Sequence, residues 1–406
     1  MSKNILAPIT IFGLSTEGYR IASSLSFFDI QTTLVDENLN VGMQLKNKIL
    51  ARFNSIAALL EDEPLLGLES IEDAISKAKC IFFAPKIRTH GIEGKSEISL
   101  RLKTVSKHLS KGVVFVNMLP MSYGGNREII SLIEKLTGLE VGVGFDYIYA
   151  PLNPKTNEPV FIGSRRMNLD EAVIETLKSA LIDVPDILPL YLAEWLYSKH
   201  VIRKYSSIAM ELELCKKLSR SSDWSSPECF TDSQKEAYLE TISENLFDIK
   251  AITKTLKTGE PLWYTMSGIL KSLEGYIKYL INRIRDILKE EGLKAGRARI
   301  LVAWSIDPFE IREDKISIFS TLIERLHDCV GSVVALNTIP YLQALYPRLG
   351  VKRGMPPYTG KNNIILACSN EDFGIVLKNS QTELGMSSII IKANLPVDVI
   401  TSLQNH

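Results

Sequence analysis

Three small residues near the start of the chain have a spacing that suits phosphate binding. Gly13, Ser15 and Gly18 follow an apolar run and precede a helix-like stretch, and a second apolar run ends at Asp36. A helix N-terminus presents free N–H groups and the positive end of the helix dipole to an anion. Gly13 would permit the turn, and Gly18 would let the helix approach the strand. The spacing therefore predicts a βαβ unit whose turn faces a pyrophosphate.

The same pattern indicates which cofactor to expect. A carboxylate at the end of the second strand, here Asp36, accepts hydrogen bonds from a ribose diol and disfavours a 2′-phosphate, so the predicted cofactor is NAD. Two residues depart from the pattern. Ser15 stands where glycine normally lets the backbone approach phosphate, and Glu17 places a carboxylate in the first helical turn. Two interpretations stay open: NAD binding at Gly13, Ser15, Gly18 and Asp36, and a Rossmann-like domain that has lost its cofactor.

Composition excludes several classes of partner. The chain has 406 residues, of which 45% are hydrophobic, and its 47 Lys and Arg balance its 47 Asp and Glu. A net charge of zero gives no general attraction to nucleic acid or to an anionic membrane, so neither is predicted as a partner. No apolar run approaches the ~20 residues that span a bilayer. The N-terminal sequence MSKNILAPITIFG leads directly into the first strand, so no signal peptide is predicted.

Cysteine and histidine usage points to a reducing cytoplasm without metal. The chain has five cysteines and five histidines. The cysteines are odd in number and never spaced as CxxC, and the histidines form no HxH or HExxH pair, so neither disulfides nor a metal site is predicted. The cysteines are Cys80, Cys215, Cys229, Cys329 and Cys368.

The positions of the predicted strands and helices divide the chain into three regions. From residue 8 to about 165, β-rich runs alternate with amphipathic segments, which predicts a parallel sheet with helices on both faces. Residues 187–298 have helical periodicity, and strands return from about 299. The predicted fold class is therefore α/β: a Rossmann-like domain over 1–186, a central helical dimerisation region over 187–298, and a second Rossmann-like α/β domain over 299–406. The predicted strands are ITIFGL, TTLVD, CIFFAP, VVFVNM, VGFDYIYAP, VFIGS, ARILVAWS, VGSVVALN, NNIILACS and SSIIIKAN.

This order of parts resembles the nucleotide-sugar dehydrogenase family, the UDP-glucose and UDP-N-acetylmannosamine 6-dehydrogenases. The resemblance spans nearly the whole chain and implies an NAD-binding domain, a helical dimer core and a UDP-binding domain. Four landmarks carry it: FGLSTEGYRIA, then GVVFVNMLPMSYGGNREIISLIEKLTGLEVGVGFDYIYAPLNP, then AEWLYSKHVIRKYSSIAMELEL, and finally RILVAWSIDPFEIREDKISIFSTLIERL.

The family reaction oxidises a UDP-sugar alcohol twice, to the carboxylate, with NAD. It uses a cysteine thiolate, a lysine and an asparagine near the oxyanion, and a glutamate that assists hydrolysis. When the central helix is aligned without a gap, the lysine position falls on Tyr197 and the asparagine position on Val201. The glutamate of the family's Pro-Glu-Arg element falls on Leu152. These positions would lack the expected acid–base groups.

The remaining candidates are weaker matches. Lys199 lies near the lysine position but is two residues away on a helix of 3.6 residues per turn, so it should point elsewhere. Cys229 precedes Phe230 as in the family's cysteine element but follows the helix too soon; it is either the nucleophile or an ordinary loop thiol. Arg312 matches a family arginine, which could bind a nucleotide-sugar phosphate or the partner subunit, or form a local salt bridge with Glu310 or Asp314.

The sequence thus predicts a divergent family member with reduced or no dehydrogenase activity. The alternative is a non-catalytic paralogue that binds NAD or a nucleotide-sugar and acts as a sensor or partner subunit. The apolar surface of the central helix predicts a homodimer, unless other helices of the same subunit cover that surface.

Overall fold

The computed structural model describes most of the chain and divides it into two compact units. The described residues are 4–45, 52–53, 55–62, 66–87, 92–153, 156, 158–218, 237–312, 314–339, 341–353, 363–382 and 389–400. Unit 1 consists of Met1–Val201, Lys250–Leu256 and Phe309–Glu313. Unit 2 consists of Ile202–Ile249, Lys257–Pro308 and Asp314–His406. The three-region division stays a prediction.

Unit 1 is built on a nine-stranded sheet with the order β4-β3-β2-β1-β5-β6-β7-β8-β9. Its strands are β1 (Ile9–Phe12), β2 (Thr32–Asp36), β3 (Val41–Leu45), β4 (Gly67–Ser70), β5 (Cys80–Phe83), β6 (Val113–Asn117), β7 (Phe145–Tyr149), β8 (Ile162–Ser164) and β9 (Ile187–Pro189). The first, second, fifth, sixth and seventh of these pair in parallel. Every residue of β1 is buried, as expected for a strand covered on both faces.

Both edges of this sheet differ from the predicted parallel arrangement. β3 and β4 pair antiparallel with their neighbours, and β8 pairs antiparallel with β7. Asp36 and Val41 are separated by four residues only, and so short a connection cannot make the crossover that parallel pairing needs. Connection length therefore decides the direction of β3.

The described helices of this part of the chain connect or follow these strands, and the last of them continues into unit 2. They are α1 (Thr16–Phe27), α2 (Ile56–Asp62), α3 (Ile71–Ser76), α4 (Ile92–Ser106), α5 (Gly125–Thr137), α6 (Glu171–Ala180) and α7 (Leu190–Leu218). The 29-residue helix α7 corresponds to the predicted central helix.

Unit 2 contains the remaining helices and a six-stranded sheet with the order β12-β11-β10-β13-β14-β15. The strands are β10 (Arg299–Ala303), β11 (Ser332–Asn337), β12 (Lys352–Arg353), β13 (Asn363–Ala367), β14 (Ile389–Lys392) and β15 (Val399–Ile400). The helices are α8 (Leu239–Ser243), α9 (Leu246–Thr255), α10 (Pro261–Glu274), α11 (Tyr276–Glu290), α12 (Asp314–His327), α13 (Leu342–Leu345) and α14 (Asn370–Thr382), with 3₁₀ turns at Ala295–Arg297 and Pro347–Leu349. Helix α9 extends into unit 1.

One long helical stretch is interrupted in the structure. The periodicity over 267–292 suggests continuous helix, but α10 ends and α11 begins at Gly275. Glycine has a low helix propensity, and the Gly275 N–H still reaches the carbonyl of Lys271 at 3.1 Å. The sheet of unit 2 has a buried apolar core that includes Leu301, Leu336 and Ile365.

Candidate functional site

The turn between β1 and α1 has the geometry that two glycines allow. Gly13 has a φ of +121°, and a Cβ atom built there would lie 2.4 Å from the carbonyl oxygen of Ala84. A Cβ on Gly18 would lie 2.9 Å from the carbonyl oxygen of Gly13. Both positions therefore exclude a side chain, the first through backbone conformation and the second through close approach.

Ser15 is the N-cap of α1 and is completely buried. Its Oγ accepts a hydrogen bond from the Gly18 N–H at 3.1 Å and donates one to the Ala84 carbonyl at 2.7 Å. The hydroxyl thus satisfies one helix N–H, as an N-cap does, and has its own proton engaged within the protein.

Two further N–H groups at this helix N-terminus also have acceptors in the protein. The Leu14 N–H donates to Glu37 Oε2 at 3.0 Å, and the Thr16 N–H donates to the Phe309 carbonyl at 2.7 Å. The second oxygen of Glu37 accepts from the Lys86 N–H at 3.3 Å. A carboxylate and a carbonyl therefore lie where the sequence pattern predicts a pyrophosphate.

Residues 309–312, which we name the strap, belong to unit 1, although the chain before and after them belongs to unit 2. The Ile311 N–H donates to Glu17 Oε2 at 2.9 Å, and the Ile311 carbonyl accepts from the Ile87 N–H at 2.8 Å. A β-bridge joins Ile87 to Arg312. The strap is therefore held through its backbone at several points.

Buried charged groups of both signs lie at the turn. Glu17 is 5% exposed, and burial, with the nearby Glu310 charge as a second cause, raises its pKa from 4.5 to about 7. Glu37 is also buried, and its Oε1 lies 3.9 Å from Arg101 Nε. Lys86 Nζ lies 4.9 Å from the centre of the Phe309 ring.

The residues present do not fit a dinucleotide in this arrangement. Phosphate oxygens would need the N–H groups that Leu14, Thr16 and Gly18 donate to protein acceptors. They would also face the carboxyl groups of Glu17 and Glu37. No chemical step is therefore derived through a nicotinamide cofactor.

Asp36 is buried at the end of β2, as the cofactor pattern requires. Its Oδ1 accepts the N–H groups of Asn38 at 2.8 Å and Leu39 at 3.3 Å. The carboxylate thus closes the turn that leads into β3, and a role in ribose recognition stays a prediction.

The structure brings Tyr197 and Arg312 together. Tyr197 is 3% exposed on α7, and its hydroxyl accepts a hydrogen bond from Arg312 Nη2 at 2.9 Å. The Tyr149 and Tyr197 rings meet edge to face, with centroids 6.2 Å apart. The residue at the family's lysine position therefore makes its polar contact with the predicted substrate-binding arginine.

The other positions implied by the family carry apolar or distant groups. Val201 and Leu152 are both buried, and Leu152 forms a β-bridge with Pro159. Lys199 is exposed, and its Nζ lies 5.1 Å from the centre of the Trp195 ring. Cys229 lies outside the described residues.

The described cysteines include three buried thiols. Burial raises the pKa of Cys80 and Cys368 well above the usual range, and burial with the Glu211 charge raises that of Cys215 to about 11. Because the thiolate is the nucleophile, these three positions do not favour covalent catalysis. Cys329 is half-buried.

Sequence reasoning gave no role to a buried network centred on Glu194. The carboxylate accepts the N–H groups of Gly124 and Asn126 and the Asn126 Nδ2, at 3.1, 2.8 and 2.8 Å. Asn126 Oδ1 in turn accepts from Asn117 Nδ2 at 2.9 Å and Tyr147 OH at 2.6 Å. Glu194 therefore caps α5 from a distant helix, a contact with no local sequence signal.

A cleft of about 680 Å³ lies beside this network, between α5 and the first turn of α7. Arg127 and Arg165 line it, and so do Glu134 and Glu194. Charged side chains of both signs therefore line the cleft.

Among the described residues no group of three or more His, Cys, Asp or Glu side chains is placed to hold a metal ion. Within the same residues no helix is both long and apolar enough to cross a bilayer.

The fold that these elements define is that of the nucleotide-sugar dehydrogenases, which confirms the predicted fold class. Two solved structures match with a TM-score of 0.63 and 13% identity: a UDP-D-ManNAc dehydrogenase from Pyrococcus horikoshii, over 96% of each chain, and a UDP-glucose dehydrogenase from Pyrobaculum islandicum, over 97% of this chain and 95% of that one. An NDP-N-acetyl-D-galactosaminuronic acid dehydrogenase from Methanosarcina mazei Go1 matches at 0.54, with 14% identity over 91% of this chain and 88% of that one. No protein-family model matches the sequence, and no curated protein sequence is similar to it.

Proposed function

We propose that this protein has the nucleotide-sugar dehydrogenase fold but reduced or no dehydrogenase activity. The proposal rests on the residue types at three buried positions, which are Tyr197, Val201 and Leu152. Valine and leucine neither transfer protons nor donate hydrogen bonds, and the Tyr197 hydroxyl is bonded to an arginine. Loss of one oxyanion or acid–base group commonly lowers a rate ~10²–10⁴-fold, and loss of several that act together removes nearly all of it.

A nucleophile is also lacking among the buried thiols. The second oxidation of the family reaction needs an activated cysteine, and burial disfavours the thiolate at Cys80, Cys215 and Cys368. Cys229 is the candidate left from the sequence. Its substitution therefore distinguishes a divergent enzyme from a non-catalytic relative.

The role that follows is binding without turnover, as a sensor or partner subunit in a reducing cytoplasm. The ligand expected is a nucleotide-sugar, because the fold neighbours are dehydrogenases of UDP- and NDP-linked sugars. The second candidate is an NAD-dependent dehydrogenase, which one observation favours: the buried Asp36 carboxylate at the end of β2.

The test combines turnover with ligand binding. Purified protein is mixed with NAD and UDP-glucose or UDP-N-acetylmannosamine, and absorbance of NADH is followed beside a thermal-shift titration with each UDP-sugar. We expect a rise in melting temperature with a UDP-sugar and no NADH. Accumulation of NADH at the rate of an ordinary enzyme, about 1 per second or faster, would contradict the proposal. Its loss in Cys229→Ser but not in the control Cys329→Ser would then identify the nucleophile.

We also propose that the protein forms a homodimer through α7. Four large apolar side chains of this helix are exposed: Tyr191 at 65%, Trp195 at 50%, Met210 at 61% and Leu214 at 52%. Exposed apolar side chains at spacings of four residues on one helix are typical of a helix interface. Light scattering after size exclusion should give twice the mass of one chain, and Trp195→Glu should shift it toward the monomer. A monomeric wild type would refute the dimer.

A further inference from the structure

We name the donors and acceptors around the α1 N-terminus, at Leu14, Thr16, Glu17 and Glu37, the cradle. The cradle has the properties of a site for peptide backbone. Its N–H donor at Thr16 binds the Phe309 carbonyl at 2.7 Å, and its acceptor at Glu17 binds the Ile311 N–H at 2.9 Å. Phe309 and Ile311 are each 4% exposed. A peptide supplies one donor and one acceptor at every residue, which this alternation of donor and acceptor matches.

Pyrophosphate has a different requirement. It offers acceptors only, so it would leave the Glu17 carboxylate unsatisfied and bring negative charge toward it. The second carboxylate, Glu37, already accepts from Leu14 and Lys86 N–H groups. Both Glu37 oxygens would have to lose these hydrogen bonds before a phosphate could accept from the same N–H groups.

We infer that this cradle is a peptide-binding site whose occupant is the strap of the same chain, and that it does not take a dinucleotide. The inference concerns the cofactor position and goes beyond the proposed function, which rests on the reaction positions. The strap belongs to the same chain, so it competes as an intramolecular ligand. A dinucleotide would have to displace it.

Hydrogen–deuterium exchange on the full chain tests this directly. The amides of Thr16, Ile311 and Ile87 should exchange slowly, because each donates to a protein acceptor. Their exchange should stay unchanged when NAD, NADH or NADP is added at millimolar concentration. Saturable acceleration at Ile311 with any of the three would overturn the inference, because a dinucleotide in this place would displace the strap while its phosphate could keep the Thr16 N–H protected. Binding that leaves Ile311 protected places the dinucleotide elsewhere and agrees with the inference.

Two substitutions at one position separate the contact from the charge. Glu17→Gln keeps an oxygen that accepts the Ile311 N–H, whereas Glu17→Ala removes it. We expect exchange at Ile311 to become about tenfold faster in Glu17→Ala and to stay near the wild-type rate in Glu17→Gln. Glu310→Gln is the matched control, because it removes the neighbouring charge without removing an acceptor from the cradle, and it should leave Ile311 protected.

If Glu17→Ala fails to fold, the inference can still be tested, because amide exchange in the wild-type protein with and without dinucleotide does not need the variant. Equal exchange of Ile311 in Glu17→Ala and wild type would also contradict the inference. The proposed function fails separately, by formation of NADH at the rate of an ordinary enzyme. Rapid exchange at Thr16 in a protein without turnover would refute the inference that the strap occupies the cradle, and the proposed function would still stand.

Discussion

The buried carboxyl of Glu17 makes folding stability depend on pH in an unusual direction. Its pKa is raised from 4.5 to about 7 in the folded protein, first because burial disfavours the charged form and second because of Glu310. A carboxyl with a raised folded pKa binds protons more tightly when folded. Its contribution to stability is therefore fully present below pH 4.5 and is lost as pH rises toward and through 7.

The magnitude follows from the two pKa values. Each pKa unit corresponds to about 1.4 kcal/mol, so the rise from 4.5 to about 7 amounts to about 3 kcal/mol over the whole window. Roughly 2.5 kcal/mol of this falls between pH 5 and pH 8. The sign is opposite to that of a salt-bridged carboxylate, whose pKa is lowered by folding and whose contribution to stability rises with pH, at values below about 5.

The perturbation is Glu17→Gln, which is uncharged at every pH and keeps an acceptor for the Ile311 N–H. Urea unfolding of both proteins at pH 5 and pH 8 gives the free energy of unfolding of each. We expect the variant to gain about 2.5 kcal/mol relative to wild type between the two values. Glu310→Gln should show a smaller gain, because it removes only the second cause. Parallel pH curves for wild type and Glu17→Gln would refute the assignment.

Three further predictions follow from single contacts. Glu194→Ala should lower the free energy of unfolding by about 3 kcal/mol, because three donors of α5 lose a charged acceptor; an unchanged melting temperature would contradict this. Gly13→Ala should destabilise by more than about 3 kcal/mol, whereas Gly138→Ala, also at positive φ but with nothing within 4 Å of its added methyl, should cost about 1 kcal/mol. Thermal melts of the two variants give the difference. Mass-spectrometric mapping with a thiol reagent at pH 8 should label Cys329 before Cys368; labelling of Cys368 in the folded protein would show that its burial is wrong.

Most of the fold could be predicted from local patterns. Buried strands such as β1 appear in the sequence as short apolar runs. Helix α7 appears as a long stretch with helical periodicity and no proline. Both patterns are visible because burial and backbone geometry act on neighbouring residues. The antiparallel edges were missed because β3 and β4 carry few β-branched residues. The direction of β3 depends on the length of the turn after Asp36.

The sequence by itself determined the turn at Gly13, and it predicted that Val201 and Leu152 stand where the family has an asparagine and a glutamate. Each is a property of one residue type at one place in a pattern. Only the tertiary structure decided what fills the cradle, because the strap is almost three hundred residues away from α1 along the chain. Hydrogen bonds between such distant segments depend on the assembled fold, and no periodicity or spacing encodes them.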